Sequence, residues 1–266
     1  LRKALMREVR ALRAEGALPL HPDASVFVRH DESRVDTWRA LLSGPVDTPY
    51  ALGLFLFDIG CPPEYPSIPP LVHFETTGRG TVKFNPNLYA DGKVCLSLLG
   101  TFSGANATEK WDPTRSSLCQ VVVSIQSQIL VPHPYQNEPG YEGLSADSPK
   151  SQLYNAWLRL YTMRHAMVAV LRQPPAGFEG AVAAHFAQQR RRVLDQCRGW
   201  LRDAPAELRP RMAAALSQLT ECLPAQSEVA RATPSASASG EAPTSTSSDT
   251  QAASWASAGP CASDDE

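Results

Sequence analysis

Apolar positions in the first half of the chain change period from helical to strand-like. Over residues 1–15, Leu1, Leu5, Val9 and Leu12 share one face, which predicts an amphipathic helix that Gly16 ends. Residues 25–29 and 37–42 alternate or cluster apolar side chains, 51–59 is a longer apolar run, and 71–75 adds a short one, so four strands are predicted. The proline-rich segment 62–70 between the last two can be neither helix nor central strand. One helix followed by closely spaced strands predicts an α+β fold with an antiparallel meander sheet.

Helical spacing returns in the second half. Leu118, Val121, Val122, Ile125, Ile129 and Leu130 form the inward face of a helix over 118–131, stopped by Pro132-His133-Pro134. A second amphipathic helix spans 153–171 and ends before Pro174-Pro175. From 178 to 201, Phe178, Val182, Phe186, Val193, Cys197 and Leu201 repeat at helical spacing, on a segment that either packs on the core or receives a partner helix. A short helix over 207–223 completes this extension. From Pro224 to Glu266 the chain is Ala, Ser, Thr and Pro with almost no large apolar residues, so a disordered tail is predicted. The resulting organisation is a core at 1–172, a helical extension at 173–223 and a tail at 224–266.

Composition narrows the function classes. The chain has 266 residues, 43% of them hydrophobic, which is ample for a packed core. A formal net charge of −2 gives no nucleic-acid footprint, and Arg190-Arg191-Arg192 reads as a solvated helix face. Cys61, Cys95, Cys119, Cys197, Cys222 and Cys261 are scattered, with no secretory leader and no membrane-length apolar run. These features predict an intracellular, reducing setting, the cytoplasm with the nucleus left open, and no membrane insertion.

The candidate chemistry lies in Phe84-Asn85-Pro86-Asn87-Leu88-Tyr89-Ala90-Asp91-Gly92-Lys93-Val94-Cys95. A single cysteine stands eight residues after Asn87, with an Asp-Gly turn between them. A cysteine held near a side-chain amide is a candidate covalent nucleophile with a donor for a developing oxyanion; a cysteine alone is more often a small buried hydrophobe. No His-Asp pair accompanies Cys95 in the sequence, which argues against a protease-type nucleophile.

The stretch resembles the active-site segment of ubiquitin-conjugating enzymes, whose His-Pro-Asn is followed eight residues later by the thioester-forming cysteine; Asn85 replaces the His. The resemblance extends to Gly44-Pro45-Val46-Asp47-Thr48-Pro49-Tyr50, to Tyr65-Pro66-Ser67-Ile68-Pro69-Pro70 and to Trp111-Asp112-Pro113, and covers roughly the first 170 residues. Within the family, Leu18-Pro19-Leu20, Phe84 to Tyr89 and Asn137-Glu138-Pro139-Gly140-Tyr141-Glu142 are similar to the conjugating module of giant members that carry an inhibitor-of-apoptosis repeat. No such zinc repeat occurs in this sequence.

The resemblance implies an acyl transfer. The ubiquitin-activating enzyme would deliver ubiquitin to Cys95 as a thioester, and a lysine of a protein substrate would then attack it, with or without a ubiquitin ligase. Sulfur suits both halves, because a thiolate is a strong nucleophile and a good leaving group. ATP would belong to the activating enzyme, so no cofactor and no metal are expected here. Asn87 would stabilise the oxyanion or hold the loop through an Asx-type contact. Ser97 stands where members usually carry Asp, so Glu138 is the candidate for receiving the attacking amine, with Asn137 as fallback and a merely solvated carboxylate as the alternative. Pro66, Trp111, Pro113 and Thr114 match the ligase-docking loops, but Ser67 replaces the usual aromatic, which removes a contact of the kind that dominates interfaces. Residues 100–110 form an insertion beside the site. The competing readings are a non-catalytic ubiquitin-binding adaptor of the same fold, and an enzyme for another ubiquitin-like modifier.

Overall fold

A computed structural model describes residues 1–31, 33–102, 110–141 and 143–223. Helix α1 (Arg2–Arg13) leads into five antiparallel strands in sequence order: β1 (Leu20–His21), β2 (Ala24–His30), β3 (Thr37–Ser43), β4 (Leu54–Gly60) and β5 (Leu71–Phe74). The four expected strands are present, and the two-residue β1 adds an edge that is too short for periodicity to reveal. Helix α2 (Leu118–Ser124), helix α3 (Pro149–Tyr161), the single turn α4 (Ala169–Arg172), and helices α5 (Glu179–Gln188), α6 (Arg190–Arg202) and α7 (Arg209–Cys222) follow.

Local chemistry starts these helices where they start. Ser117 accepts from the Gln120 amide while the Gln120 side chain accepts from the Ser117 amide, a reciprocal cap that begins α2. Ser148 caps α3 with Pro149 at its first position, four residues ahead of the expected start at 153. Both helices then widen to π geometry, at Ile125–Ile129 and Thr162–Val168. The widened turns keep the predicted apolar faces inward: Ile125, Ile129, Met163, Ala166 and Met167 are all buried.

Strand β4 explains the architecture. Phe55, Phe57 and Ile59 point into a core shared with α1 and α2, whereas Leu54 and Leu56 on the opposite face join a second core with Leu41, Met163, Met167 and α5 to α7. A strand buried on both faces reads as an unbroken apolar run, as 54–57 does. The run predicted from Ala51 enters the strand only at Leu54. Ala51 and Leu52 instead form a turn in which Leu52 takes φ 63° and His185 of α5 lies 3.0 Å from the Leu52 carbonyl.

The extension is therefore docked on the sheet. Phe178, Val182, Phe186, Val193 and Cys197 are each at most 1% exposed. Gln189 donates to the Pro22 carbonyl at 3.3 Å, and Arg192 pairs with Asp23. The single helix expected over 178–201 breaks at Gln189, whose backbone (φ −94°, ψ 4°) leaves the helical range for one residue. A break that short leaves the apolar repeat in phase. Among the described residues, no helix is long and apolar enough to cross a membrane. The tail at 224–266 and most of the insertion, 103–109, lie outside the described residues.

A truncated Phe186 tests this docking. Phe186→Ala is expected to lower the unfolding free energy by about 3–5 kcal/mol. The loss should appear as a shift of one cooperative denaturant transition; a separate early transition would mean that the extension unfolds apart from the sheet.

Candidate active site

The loop that carries Cys95 is pinned to β5 at its turn. The Asp91 carboxylate accepts from the Lys93 amide at 3.0 Å, and the Phe74 amide donates to the Gly92 carbonyl at 2.8 Å. Gly92 has φ +89°, and a Cβ there would fall 2.1 Å from the His73 ring. Both the conformation and the close approach demand glycine, so the Asp-Gly signal sets where the loop rests on the sheet. Beyond the cysteine, Thr101 Oγ1 accepts from the Leu96 amide at 3.0 Å and donates to the Val94 carbonyl at 2.7 Å. Cys95 itself is 3% exposed.

Asn87 and Cys95 are joined twice. The Cys95 amide donates to the Asn87 carbonyl at 2.9 Å, and Asn87 Nδ2 donates to the Cys95 carbonyl at 3.0 Å. The Asn87 side chain is in turn oriented by Asn137, whose Nδ2 donates to Asn87 Oδ1 and to the Gln128 carbonyl, both at 3.1 Å. Asn137 thus connects the cysteine loop with the segment that follows the π turn of α2.

Asn85 sits beneath this arrangement and is fully buried. Its Nδ2 donates to the Tyr50 hydroxyl at 2.9 Å and to the Ile129 carbonyl at 2.7 Å, while its Oδ1 accepts from the Asn87 amide at 2.8 Å. The Tyr50 hydroxyl donates to the Phe84 carbonyl at 3.1 Å, and burial holds that phenol well above its usual range. Tyr50 has no candidate role in the sequence reading. Its signal was the Pro-Tyr at the end of 44–50, but only the fold shows that its hydroxyl ends at Asn85.

Glu138 lies one residue beyond Asn137 and half exposed. Its carboxylate faces Lys83 Nζ at 3.7 Å, and that ammonium also stands 4.5 Å over the Tyr89 ring. The fallback Asn137, not Glu138, makes the direct contact with Asn87. Ser97 opens a short 3₁₀ turn, Ser97–Leu99, which Gly100 ends at φ 70°.

The four docking-loop residues come together at the far end of α2. Trp111 Nε1 donates to the Pro66 carbonyl at 2.7 Å, and the Trp111 ring lies 5.6 Å from that of Tyr65, which precedes the cis peptide to Pro66. Pro66, Pro113 and Thr114 line a cavity of about 200 Å³ with Ala4, Arg7 and Ala11 of α1. Thr114 donates its amide and hydroxyl to the Asp112 carboxylate at 2.8 and 2.7 Å, holding that carboxyl below its usual range. Buried Glu8 ties α1 to the proline-rich loop and to the start of α2, accepting from the Tyr65 hydroxyl at 2.6 Å and the Leu118 amide at 3.1 Å.

Two predictions follow from the geometry. Asn87→Ala removes both contacts of a part-buried amide, so the unfolding free energy should fall by about 1–3 kcal/mol in a urea titration. An amide needed only in a transition state would leave stability unchanged. Burial pushes the Cys61 and Cys197 thiols up to about 12. At pH 8 only roughly one molecule in ten thousand carries either thiolate, so peptide mapping after iodoacetamide treatment of the folded protein should find both unmodified.

Comparison with known proteins gives the arrangement its relatives. The profile of the family described as "Ubiquitin-conjugating enzyme" matches residues 5–165. The human protein "Dual E2 ubiquitin-conjugating enzyme/E3 ubiquitin-protein ligase BIRC6" is 49% identical over 190 residues, 70% of this chain and 4% of that protein. "Probable ubiquitin-conjugating enzyme protein 17" of Caenorhabditis elegans is 47% identical over 188 residues, 70% of this chain and 26% of that protein. "Probable ubiquitin-conjugating enzyme E2 26" of Arabidopsis thaliana is 44% identical over 187 residues, 69% of this chain and 33% of that protein. The chain thus spans between 4% and 33% of the length of these three relatives.

Proposed function

Because this chain belongs to the ubiquitin-conjugating enzyme family, we propose that Cys95 accepts ubiquitin as a thioester from the activating enzyme and passes it to lysines of protein substrates. The observation that carries this reading is the double link between Cys95 and Asn87, with Asn137 fixing the asparagine. It places a side-chain amide on the backbone of the reacting residue itself. In the transfer, the Cys95 thiolate attacks the activated carbonyl at the ubiquitin C-terminus and expels the activating enzyme's thiolate. An amine then displaces the Cys95 sulfur and loses a proton.

Asn87 acts first as a positioning residue, because its amide already holds the Cys95 carbonyl. Glu138 receives the proton or orients the amine, and Lys83 keeps its carboxylate beside Asn137. The surface built from Pro66, Trp111, Pro113, Thr114 and α1 is the docking face for a ligase or the activating enzyme. The scattered cysteines support a cytoplasmic setting. The combined conjugating and ligating activity in the name of the human relative carries over as a proposal that this chain modifies substrates without an added ligase.

Incubation with ubiquitin, activating enzyme and ATP, followed by a non-reducing gel, tests the reading. The expected product is an adduct that thiol reductant removes and that is absent in Cys95→Ala. Glu138→Gln should charge like the parent but discharge more slowly onto free lysine. Absence of the adduct from a folded protein, with a control enzyme charging, would establish the adaptor or another modifier instead.

A further inference from the structure

Strand β2 leaves one edge of the sheet open. On its outer side β1 pairs with it only at Leu20↔Ser25 and His21↔Ala24, and one further bond runs from the Val26 amide to the Pro19 carbonyl at 2.8 Å. On its inner side β3 pairs with it from Val26 to His30, and the Asp31 amide donates to the Thr37 carbonyl of β3 at 3.2 Å. Backbone groups alternate sides along an antiparallel strand. With Val26 turned outward and Asp31 turned toward β3, Phe27 and Arg29 bond to β3, while Val28 and His30 present their amides and carbonyls to the open edge. Among the described residues, one side chain reaches that edge: Arg29 Nη1 donates to the Val28 carbonyl at 3.2 Å, which keeps a second lone pair. No strand among the described residues covers the Val28 and His30 amides.

A groove of about 660 Å³ runs along this edge, between β2 and the end of α1 with the connection that follows it. Leu12, Leu18, Val28 and Trp38 form its apolar part, and Leu20 at its rim is 72% exposed. Arg13, Arg29 and His30 line it as well, against the one carboxylate of Glu15. Arg13 Nη2 stands 3.4 Å from His30 Nε2, and Arg29 lies over the Phe178 ring at 5.7 Å. Among the described residues neither guanidinium is paired with a carboxylate. An open strand edge offers main-chain bonds to an extended segment, and the flanking apolar surface takes its alternate side chains. The complement of this groove is therefore a short strand with a large apolar side chain and acidic neighbours.

The chain's own tail carries such a segment and departs from the same end of the sheet. The Leu223 carbonyl accepts from Arg190 Nη1 at 2.9 Å. On either side of Arg190, Gln189 and Arg192 hold Pro22 and Asp23 in the turn from β1 to β2, the hairpin whose Leu20 rims the groove. After Leu223 the sequence holds six acidic residues, one basic residue and a single aromatic, Trp255. Between Pro243 and Gly259 it contains neither Gly nor Pro, so a strand there would lack no amide donor. The chain from Leu223 to Trp255 can span up to roughly 100 Å, ample for this distance. We propose that the segment around Trp255 docks in the groove as an added strand on β2, with the indole against Leu12, Leu18 and Val28 and the tail's acids toward Arg13 and Arg29. A tether raises the effective concentration of the segment, so modest contacts suffice. The docking is independent of ubiquitin transfer.

Residue-resolved amide hydrogen exchange on the whole chain tests this, with Trp255→Ala as the comparison. The Val28 and His30 amides should exchange at least about tenfold more slowly in the parent than in the variant. Those of Phe27 and Arg29, bonded to β3, should exchange alike in both. Leu20→Glu, a change at an exposed rim position that adds a carboxylate to the groove, should speed Val28 and His30 as Trp255→Ala does. Sedimentation at the same concentration should show the parent as a monomer. Equal exchange of Val28 and His30 in the parent and Trp255→Ala would overturn the proposal: fast in both, the edge is empty; slow in both, another occupant covers it. Protection that survives Leu20→Glu would place the segment elsewhere and overturn it too. A parent dimer that Trp255→Ala dissociates would do the same, by assigning the groove to the tail of a second copy.

Discussion

The Asn85 side chain is the junction on which the candidate active site depends. One amide group contacts three separate parts of the chain: the Tyr50 hydroxyl at the turn before β4, the Ile129 carbonyl at the end of the π turn after α2, and the amide of Asn87 on the cysteine loop. A fully buried amide is costly unless all its atoms are met, and this one meets partners on both its nitrogen and its oxygen. Satisfied buried polar networks specify one arrangement, because each alternative strands a donor or acceptor. The position of the loop bearing Cys95 is thereby tied to the sheet and to α2 at once. An amide replaces the family's imidazole here and still reaches both neighbours, since it offers two N–H donors and an acceptor where a neutral imidazole offers one of each.

That junction needs a platform that does not move, and the two-sided burial of the sheet supplies it. Leu41, Leu54 and Leu56 are buried in a core completed by Met163, Met167 and helices α5 to α7. The contacts are not apolar alone: His185 reaches the Leu52 carbonyl, at a residue whose positive φ is otherwise unfavourable for leucine. The extension is thus part of the framework that sets the turn from Gly44 to Gly53, and Tyr50, the partner of Asn85, sits within that turn.

Much of this was legible in the residues. The α+β class, the four long strands and the order of the helices follow from period alone, and the pairing of Cys95 with Asn87 follows from the Asp-Gly turn between them. The spacing of the extension left its docking open; the uninterrupted run Leu54-Phe55-Leu56-Phe57 shows only that this strand needs cover on both sides. What the sequence does not carry is anything decided by a single long-range contact. Periodicity gives no sign that the Tyr50 hydroxyl ends at Asn85, or that Asn137 rather than Glu138 touches Asn87. The break at Gln189 was hidden because one non-helical residue preserves the spacing of Phe186 and Val193.

The geometry also bears on whether the asparagine works as a brace or as an oxyanion donor. A carboxamide nitrogen has two N–H groups. At Asn87 one donates to the Cys95 carbonyl, and the amide plane is fixed from the other end by Asn137 donating to Oδ1. Pinned through its oxygen and one hydrogen, the group cannot rotate to follow a reacting centre, and its second N–H points in a set direction. Fixed donors aimed where charge develops are worth more than mobile ones, because no reorganisation is needed as the charge appears. The bracing contacts are therefore what would make an oxyanion contact effective. The bracing itself is a chain of contacts in which Asn137 and Asn85 hold Asn87 and Asn87 holds the backbone of Cys95.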